Sequence, residues 1–344
     1  MVLDVRGLCV EYGGEGGSVR AVDDVSFTLR RGEVLGIAGE SGSGKSTLAY
    51  AITRLHRPPA VISHGEIRYT APDGSGVDVL SMADSELRTF RWEELSIVFQ
   101  SAMHALNPIM RIGEQIDDVL AAHRPHMNRQ ERAARIVELL GIVGIPGDRA
   151  SAYPHELSGG MRQRAMIAVG LALDPEIIVM DEPTTALDVV IQRQIMELKD
   201  TLGFSVVFIT HDLSLLIELS DTIAVMYGGR IIETAAADDF YRRPRHPYSH
   251  GLLASFPTLG GPKRELTGII GSPPDLRRMP SGCAFHPRCP VAFDDCSSRT
   301  PVLYDIQQAG RSGVSRAACL QYVDAGQRAT ADDTEDRLAM GEKQ

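Results

Sequence analysis

The stretch Gly39-Glu40-Ser41-Gly42-Ser43-Gly44-Lys45-Ser46, GESGSGKS at positions 39–46, decides the fold. It follows a short apolar run at 33–38 and opens a segment, 45–56, of helical character, so the local order is strand, glycine-rich loop, helix. Glycines let such a loop curl until several backbone N–H groups point inward at phosphate oxygens. Lys45 supplies a point charge for terminal phosphates, and Ser46 offers a hydroxyl to Mg²⁺. The N-terminus of the following helix adds its partial positive charge. Gly39, Ser41, Gly42, Ser43, Gly44, Lys45, Ser46 and Thr47 are therefore the expected nucleotide-phosphate positions.

Around this loop the chain alternates. Strands are expected over 2–10, 21–29 and 96–99, and helical periodicity dominates from about 101 to 164. Within it, Ala133, Ile136, Val137 and Leu140 are expected to share one helix face. A helix over 161–173, an apolar strand over 177–180, a helix over 189–202, a strand over 205–209 and a hairpin over 222–226 and 230–233 follow. Continuous Val/Ile runs between helices predict a mostly parallel sheet buried on both faces. Beyond about residue 235 the periodicity fades and prolines gather, which reads as an extended appendage rather than a second wound sheet.

The strand IIVMDE at 177–182 ends in two acids. A carboxylate at such an edge can hold a hydrated Mg²⁺, the role expected of Asp181, and the next residue, Glu182, is placed to take a proton from an attacking water. A second phosphate nest occurs in LSGGMRQR at 157–164, where Ser158 and the N–H groups of Gly159 and Gly160 are donors at a helix start. Two nests in one chain make sense if two subunits pair head-to-tail, each nest capping ATP held by the other's loop.

Taken together these motifs resemble the ABC-type ATPase family: a Walker A loop at 39–46, a Q-loop glutamine at Gln100, a signature at 157–161 and a Walker B strand at 177–181. Glu182, the D-loop residue Asp188 and a switch histidine, His211 in VVFITHD, complete the order. The resemblance covers residues 1–235 and implies a P-loop NTPase (RecA-like) α/β core with an antiparallel β subdomain and a helical insertion at 101–165. It implies hydrolysis at a dimer interface, with Gln100 touching Mg²⁺ and sensing a permease and His211 contacting the γ-phosphate. Tyr12 would stack on adenine. The fifth signature position is Met161 rather than the commoner Gln, a variant similar to the oligopeptide/dipeptide importer branch. The Leu-Asn-Pro stretch at 100–116, the tail motif around His246-Pro247-Tyr248 and GCAFHPRCP resemble that branch too.

Four of the five cysteines, Cys283, Cys289, Cys296 and Cys319, fall in the last quarter with spacing C-x5-C-x6-C-x22-C. The tight knuckles of zinc ribbons are lacking, whereas a Cys₄ Fe–S cubane accepts ligands from a looser loop. Zinc or free thiols remain alternatives on spacing alone. The importer branch carries a [4Fe–4S] cluster here, so the resemblance assigns all four to it, in an extension spanning 236–322 ahead of a polar tail, 323–344, expected to be disordered. Cys9, near a strand, reads as a small buried residue.

The 344 residues carry 43% hydrophobic and 23% charged side chains with a formal net charge of −10, which disfavours a duplex-DNA binder. No apolar run is long enough to cross a bilayer and no secretory signal opens the chain, so it is expected in the cytoplasm, docked on the membrane through partners. Those partners, by resemblance, are a second ATPase subunit, expected to be a different chain, two transmembrane permease subunits and, indirectly, an extracellular or periplasmic substrate-binding protein. Peptides are the expected cargo, with nickel complexes or oligosaccharides as alternatives. A soluble ABC ATPase acting on nucleic acid or ribosomes fits less well, since one cassette is present without sustained heptads. The tail could also act as an interaction module for a regulator.

Overall fold

A computed structural model describes residues 1–14, 17–98, 106–182, 189–255, 268–306 and 315–323, with backbone alone for 189–195. Gln100, Asp188 and the polar tail after residue 323 lie outside the described residues.

The strands are β1 Leu3–Tyr12, β2 Val19–Leu29, β3 Val34–Ala38, β4 Ala60–Thr70, β5 Gly76–Asp78, β6 Leu95–Val98, β7 Ile177–Asp181, β8 Ser205–Ile209, β9 Thr222–Tyr227, β10 Arg230–Ala236, β11 Tyr304–Ile306 and β12 Ser315–Ala317. The helices are α1 Lys45–Ile52, α2 Asp84–Glu93, α3 Ile112–His123, α4 Arg129–Ile142, α5 Gly159–Gly170, α6 Val189–Leu202, α7 Leu213–Leu219, α8 Ala237–Arg242 and α9 Pro247–Ala254.

Eight strands form the central sheet in the order β11-β12-β10-β9-β3-β8-β7-β6. From β9 to β6 the pairs are parallel, as the apolar runs predict. All residues of β3, β7 and β8 are buried. Alternate residues of these strands feed two cores: Val34, Val206, Phe208, Ile178 and Met180 on one face, Leu35, Ile37, Val207, Ile209 and Val179 on the other. The second core is closed by α1, through Leu48 and Ile52, and by the antiparallel sheet β2-β1-β4-β5. The helical insertion packs Ile112, Ile116, Leu120 and Ile167 into the first core.

Helix α4 starts where its sequence says it should. Asn128 accepts the N–H groups of Gln130 and Glu131, and Glu131 accepts the Asn128 N–H in return, a reciprocal cap. The expected face of this helix needs correction, however. Ile136 and Leu140 are buried, but so is Leu139, while Ala133 is exposed and Val137 is 52% exposed. The buried stripe is rotated toward α3 and α5, and Val137 lies instead over Gly147.

The segment after 235 is tied in more tightly than an appendage would be. β12 pairs with β10, Glu233 opposite Ala317, and β11 pairs with β12, so the tail adds two strands to the central sheet. Ser315 Oγ donates to Asp239 Oδ2 at 2.5 Å and Tyr322 Oη donates to the Arg245 carbonyl at 2.9 Å. Phe285, 2% exposed, sits edge-on to Tyr227 and Tyr248 with centroids 5.3 and 5.4 Å away, sealing the tail against the end of β9. Among the described residues no helix is long and apolar enough to cross a membrane.

Candidate active site and cysteine pocket

β3 ends at Ala38 and the chain leaves it through Gly39, whose φ of 150° and surroundings exclude a side chain: a Cβ would lie 2.4 Å from the Met226 carbonyl oxygen. Gly44, at φ 102°, caps α1, and a Cβ there would meet the Ala21 carbonyl at 2.2 Å. The loop is thus pressed against β2 and β9, with the N-terminus of α1 opening into a cleft of about 670 Å³. That size suits a small-molecule ligand. Tyr12, Ser41, Gly42, Gly44, Lys45, Ser46 and Thr47 line it from one side, Glu182 and His211 from the other. Gly39 and Ser43 lie behind the loop, with Ser43 buried.

Lys45 is 5% exposed; its ammonium donates to the carbonyls of Gly39 and Glu40 at 2.7 and 2.9 Å. Burial pushes its pKa down, opposed by Glu182, Asp181 and Glu40. Ser46 Oγ stands 3.1 Å from Asp181 Oδ1. Burial raises the Asp181 carboxyl, while the Ser46 hydroxyl and Lys45 work the other way. Two oxygens converging at the base of a phosphate cradle fit the limited protein ligation that Mg²⁺ takes beside water and phosphate. Tyr12 Oη lies 3.2 Å from Thr47 Oγ1, anchoring the end of β1 to the loop.

β7 and β8 end side by side, Asp181 opposite Ile209. The Glu182 N–H continues this ladder by donating to the Ile209 carbonyl, yet Glu182 has φ 44°, a conformation a non-glycine residue rarely holds. The turn brings its carboxylate to 3.6 Å from His211 Nδ1, which follows β8. Ser158, Gly159 and Gly160 are not in this cleft. They sit at the N-terminus of α5, where Ser158 Oγ accepts the Met161 N–H at 3.3 Å and Ser158 and Gly159 are exposed.

Four residues of the loop's surroundings escaped the reading of the sequence. Glu40 receives a two-pronged ion pair from Arg288, at 2.7 and 3.1 Å, and its N–H donates to Tyr248 Oη at 2.9 Å. Arg288 is buried and also lies 3.4 Å from Tyr227 Oη; Glu40 keeps its guanidinium firmly charged. The tail motif around His246-Pro247-Tyr248 was the available signal for the Tyr248 contact. An ion pair spanning 248 positions leaves no local pattern.

Cys283, Cys289, Cys296 and Cys319 line one small pocket with His246 and Phe285. The Cys283 N–H donates to the Cys296 carbonyl at 2.8 Å, and His286 Nδ1 lies 2.9 Å from the Cys283 carbonyl. Burial raises the Cys283 thiol and pushes Cys289 up to about 11 and Cys319 up to about 12. His246 is pushed down to about 3 by burial, and its Nδ1 accepts the Tyr248 N–H at 3.0 Å, so it is a neutral ring. Among the described residues no group of three side chains is spaced to hold a metal ion. Cys9 is buried, as expected.

Residues 22–185 match the ABC transporter family and residues 232–296 match the oligopeptide/dipeptide transporter C-terminal region. The chain is 44% identical over 308 residues to a putative peptide import ATP-binding protein of Brucella abortus, covering 88% of this chain and 91% of the relative. It is 43% identical over 313 residues to the oligopeptide transport ATP-binding protein OppD of Bacillus subtilis, covering 89% and 86%. The OppD of Salmonella typhimurium is 44% identical, with 88% and 90% covered. Among solved structures, the dimeric ATP-binding cassette MJ0796 bound to ADP and Pi superposes with a TM-score of 0.60 at 28% identity, covering 68% of this chain and 98% of that one. The loop, the strand-end acids and the cysteine-bearing tail therefore sit in a known frame, and the chain belongs to the ATP-binding proteins of ABC transporters that carry the oligopeptide/dipeptide transporter C-terminal region.

Proposed function

We propose that this chain binds and hydrolyses ATP to drive import of oligopeptides or dipeptides. The observation that carries the ATPase reading is the single cleft lined by the loop, Ser46 and the strained Glu182, with Asp181 bonded to Ser46. The names of the relatives support the cargo class. Bound Mg²⁺ would neutralise charge on the β- and γ-phosphates, held by Ser46, Asp181 and, by resemblance, Gln100. Lys45 and the α1 N–H groups orient the phosphates. Glu182 takes the proton of the attacking water and His211 steadies the γ-phosphate end. Tyr12 covers the adenine.

Ser158, Gly159 and Gly160 serve a partner's nucleotide, a reading supported by the exposure of Ser158 and Gly159 and by the absence of all three from the lining of their own cleft. The partner is a second ATPase subunit, by resemblance a different chain. The pair would dock on two permease subunits at the cytoplasmic face of the membrane, with a substrate-binding protein outside. We assign residues 1–235 to the ATPase domain and 236–322 to the extension.

The four cysteines are proposed as ligands of a [4Fe–4S] cluster, with zinc as the alternative. The one small pocket that all four side chains line supports this reading. Such a cluster would cross-link the tail loops. The Cys283 to Cys296 backbone bond already holds two of those loops together.

Glu182→Gln tests the hydrolytic assignment. Turnover should fall at least about 100-fold while ATP still binds; turnover near that of wild type would remove Glu182 from the role of base.

A further inference from the structure

The nucleotide cleft has two lining residues from outside the cassette, Leu276 and Arg277 of the proline-rich extension. Their placement is built. Asp275 Oδ1 accepts the Arg277 N–H at 2.9 Å and the Asp275 carbonyl accepts the Arg278 N–H at 2.8 Å, so the two residues sit on a tight turn. On its N-terminal side the turn is held by the Arg288 guanidinium, which reaches the carbonyls of Ile269, Ile270 and Gly271 at 3.5, 3.0 and 3.3 Å while gripping Glu40 of the loop. On its C-terminal side Met279 packs over Gly228, where a Cβ would come within 2.6 Å of its Cε. Gly229 in turn stacks on Ala21, the residue that crowds Gly44.

The turn is thus clamped to both flanks of the phosphate loop. Leu276 is half-buried, whereas the Arg277 side chain is exposed and has no carboxylate partner among the described residues. Arg277 and Lys45 are the Arg and Lys side chains that line the cleft, and Glu182 is the carboxylate that lines it. An exposed guanidinium on the wall of a cleft that also holds a phosphate loop, with no carboxylate partner among the described residues, suits a polyphosphate.

We infer that the extension completes the nucleotide site of its own chain: Arg277 binds phosphate oxygens of the nucleotide, Leu276 flanks the contact on the cleft wall, and Arg288 positions both by holding the turn to Glu40. This rests on the ATP-binding reading above and adds a phosphate ligand to it from outside the cassette motifs. It also makes the cysteine-bearing tail part of the nucleotide site, since Arg288 directly precedes Cys289.

Affinity of the full-length chain for a non-hydrolysable ATP analogue with Mg²⁺, and for AMP, tests it. Arg277→Ala should weaken analogue binding about ten-fold, as loss of one solvent-accessible charge-assisted bond does. AMP affinity should change less than two-fold, and Arg277→Lys should recover most of the loss. The weakened binding should also depend less steeply on salt. Arg288→Lys should mimic Arg277→Ala and add nothing to it in the double variant. Arg277 is exposed, so Arg277→Ala should melt like wild type without nucleotide. Analogue binding within two-fold of wild type, or equal losses for AMP and the analogue, would overturn the phosphate contact; additive losses would overturn the role of Arg288. A wild-type chain that binds no analogue would instead refute the ATP-binding reading itself, with Lys45→Ala as the reference for a crippled loop.

Discussion

Arg288 and Glu40 offer a measurement of how firmly the tail is welded to the phosphate loop. Arg288 is 6% exposed and Glu40 26%, and the guanidinium makes two bonds to the carboxylate at 2.7 and 3.1 Å. Removing one partner of a fully buried pair costs about 3–5 kcal/mol, because the other charge is left without compensation. Glu40 keeps about a quarter of its surface in water, so Arg288→Ala should cost less, about 2–3 kcal/mol, including the three carbonyls it leaves unpaired. Glu40→Gln should cost about 1–2 kcal/mol, and the double variant should recover about 1–2 kcal/mol of the summed losses. The assay is urea unfolding followed by the fluorescence of Trp92, the one tryptophan of the chain, which lies in α2 just before β6, the strand at the opposite edge of the central sheet from β11 and β12. A Trp92 transition shifted by a tail substitution reports that tail and cassette unfold together. A coupling energy below about 0.4 kcal/mol, or a Trp92 midpoint indifferent to Arg288→Ala, would refute the weld.

Gly44→Ala should destabilise the fold by about 2 kcal/mol or more and impair nucleotide binding, since its Cβ would enter the Ala21 carbonyl at a φ of 102°; an unchanged urea midpoint would contradict this. Glu233 is fully buried and burial lifts its carboxyl to about 7, although it accepts the N–H groups of Arg245 and His246 at 2.7 Å each. Because it holds its proton longer in the fold than in the unfolded chain, its contribution to stability is full below about pH 4.5 and lost as pH rises to about 7, by at most about 3 kcal/mol. Glu233→Gln should flatten that slope; an identical pH profile in both proteins would remove Glu233 as its source. Protein purified without air should be brown with about four iron per chain, and Cys289→Ser should lower that content; colourless, zinc-loaded wild type would overturn the cluster assignment.

The catalytic half of the molecule was legible because its chemistry is local. GESGSGKS, IIVMDE and the run before His211 each carry their role within a few residues, and the structure brings them to one cleft. β4 was harder: Gly65 interrupts its alternation, and its pairing with β1 shifts register there. The face of α4 was misjudged because Val137 and Leu139 both suit an apolar stripe, and only contact with neighbouring helices chooses between them. The tail was least legible. Its fastening relies on Arg288, Tyr248 and Phe285 meeting residues far away in the chain, and a guanidinium or a ring in a proline-rich segment announces no partner. Glu40 carries no role in the sequence reading of the glycine loop, yet its side chain is where Arg288 of the tail grips that loop.

The pairing of β12 with β10 also bears on solubility. With the tail in place, the central sheet ends in strands of three and four residues, β11 and β6, too short to template another chain. A chain cut after α9 would lose β11 and β12 and leave the edge of β10 unpaired at Ile232, Glu233 and Thr234, where the tail now bonds to it. Such a truncated cassette would keep every catalytic motif and yet expose a freshly unpaired strand edge, the kind of border through which sheets join.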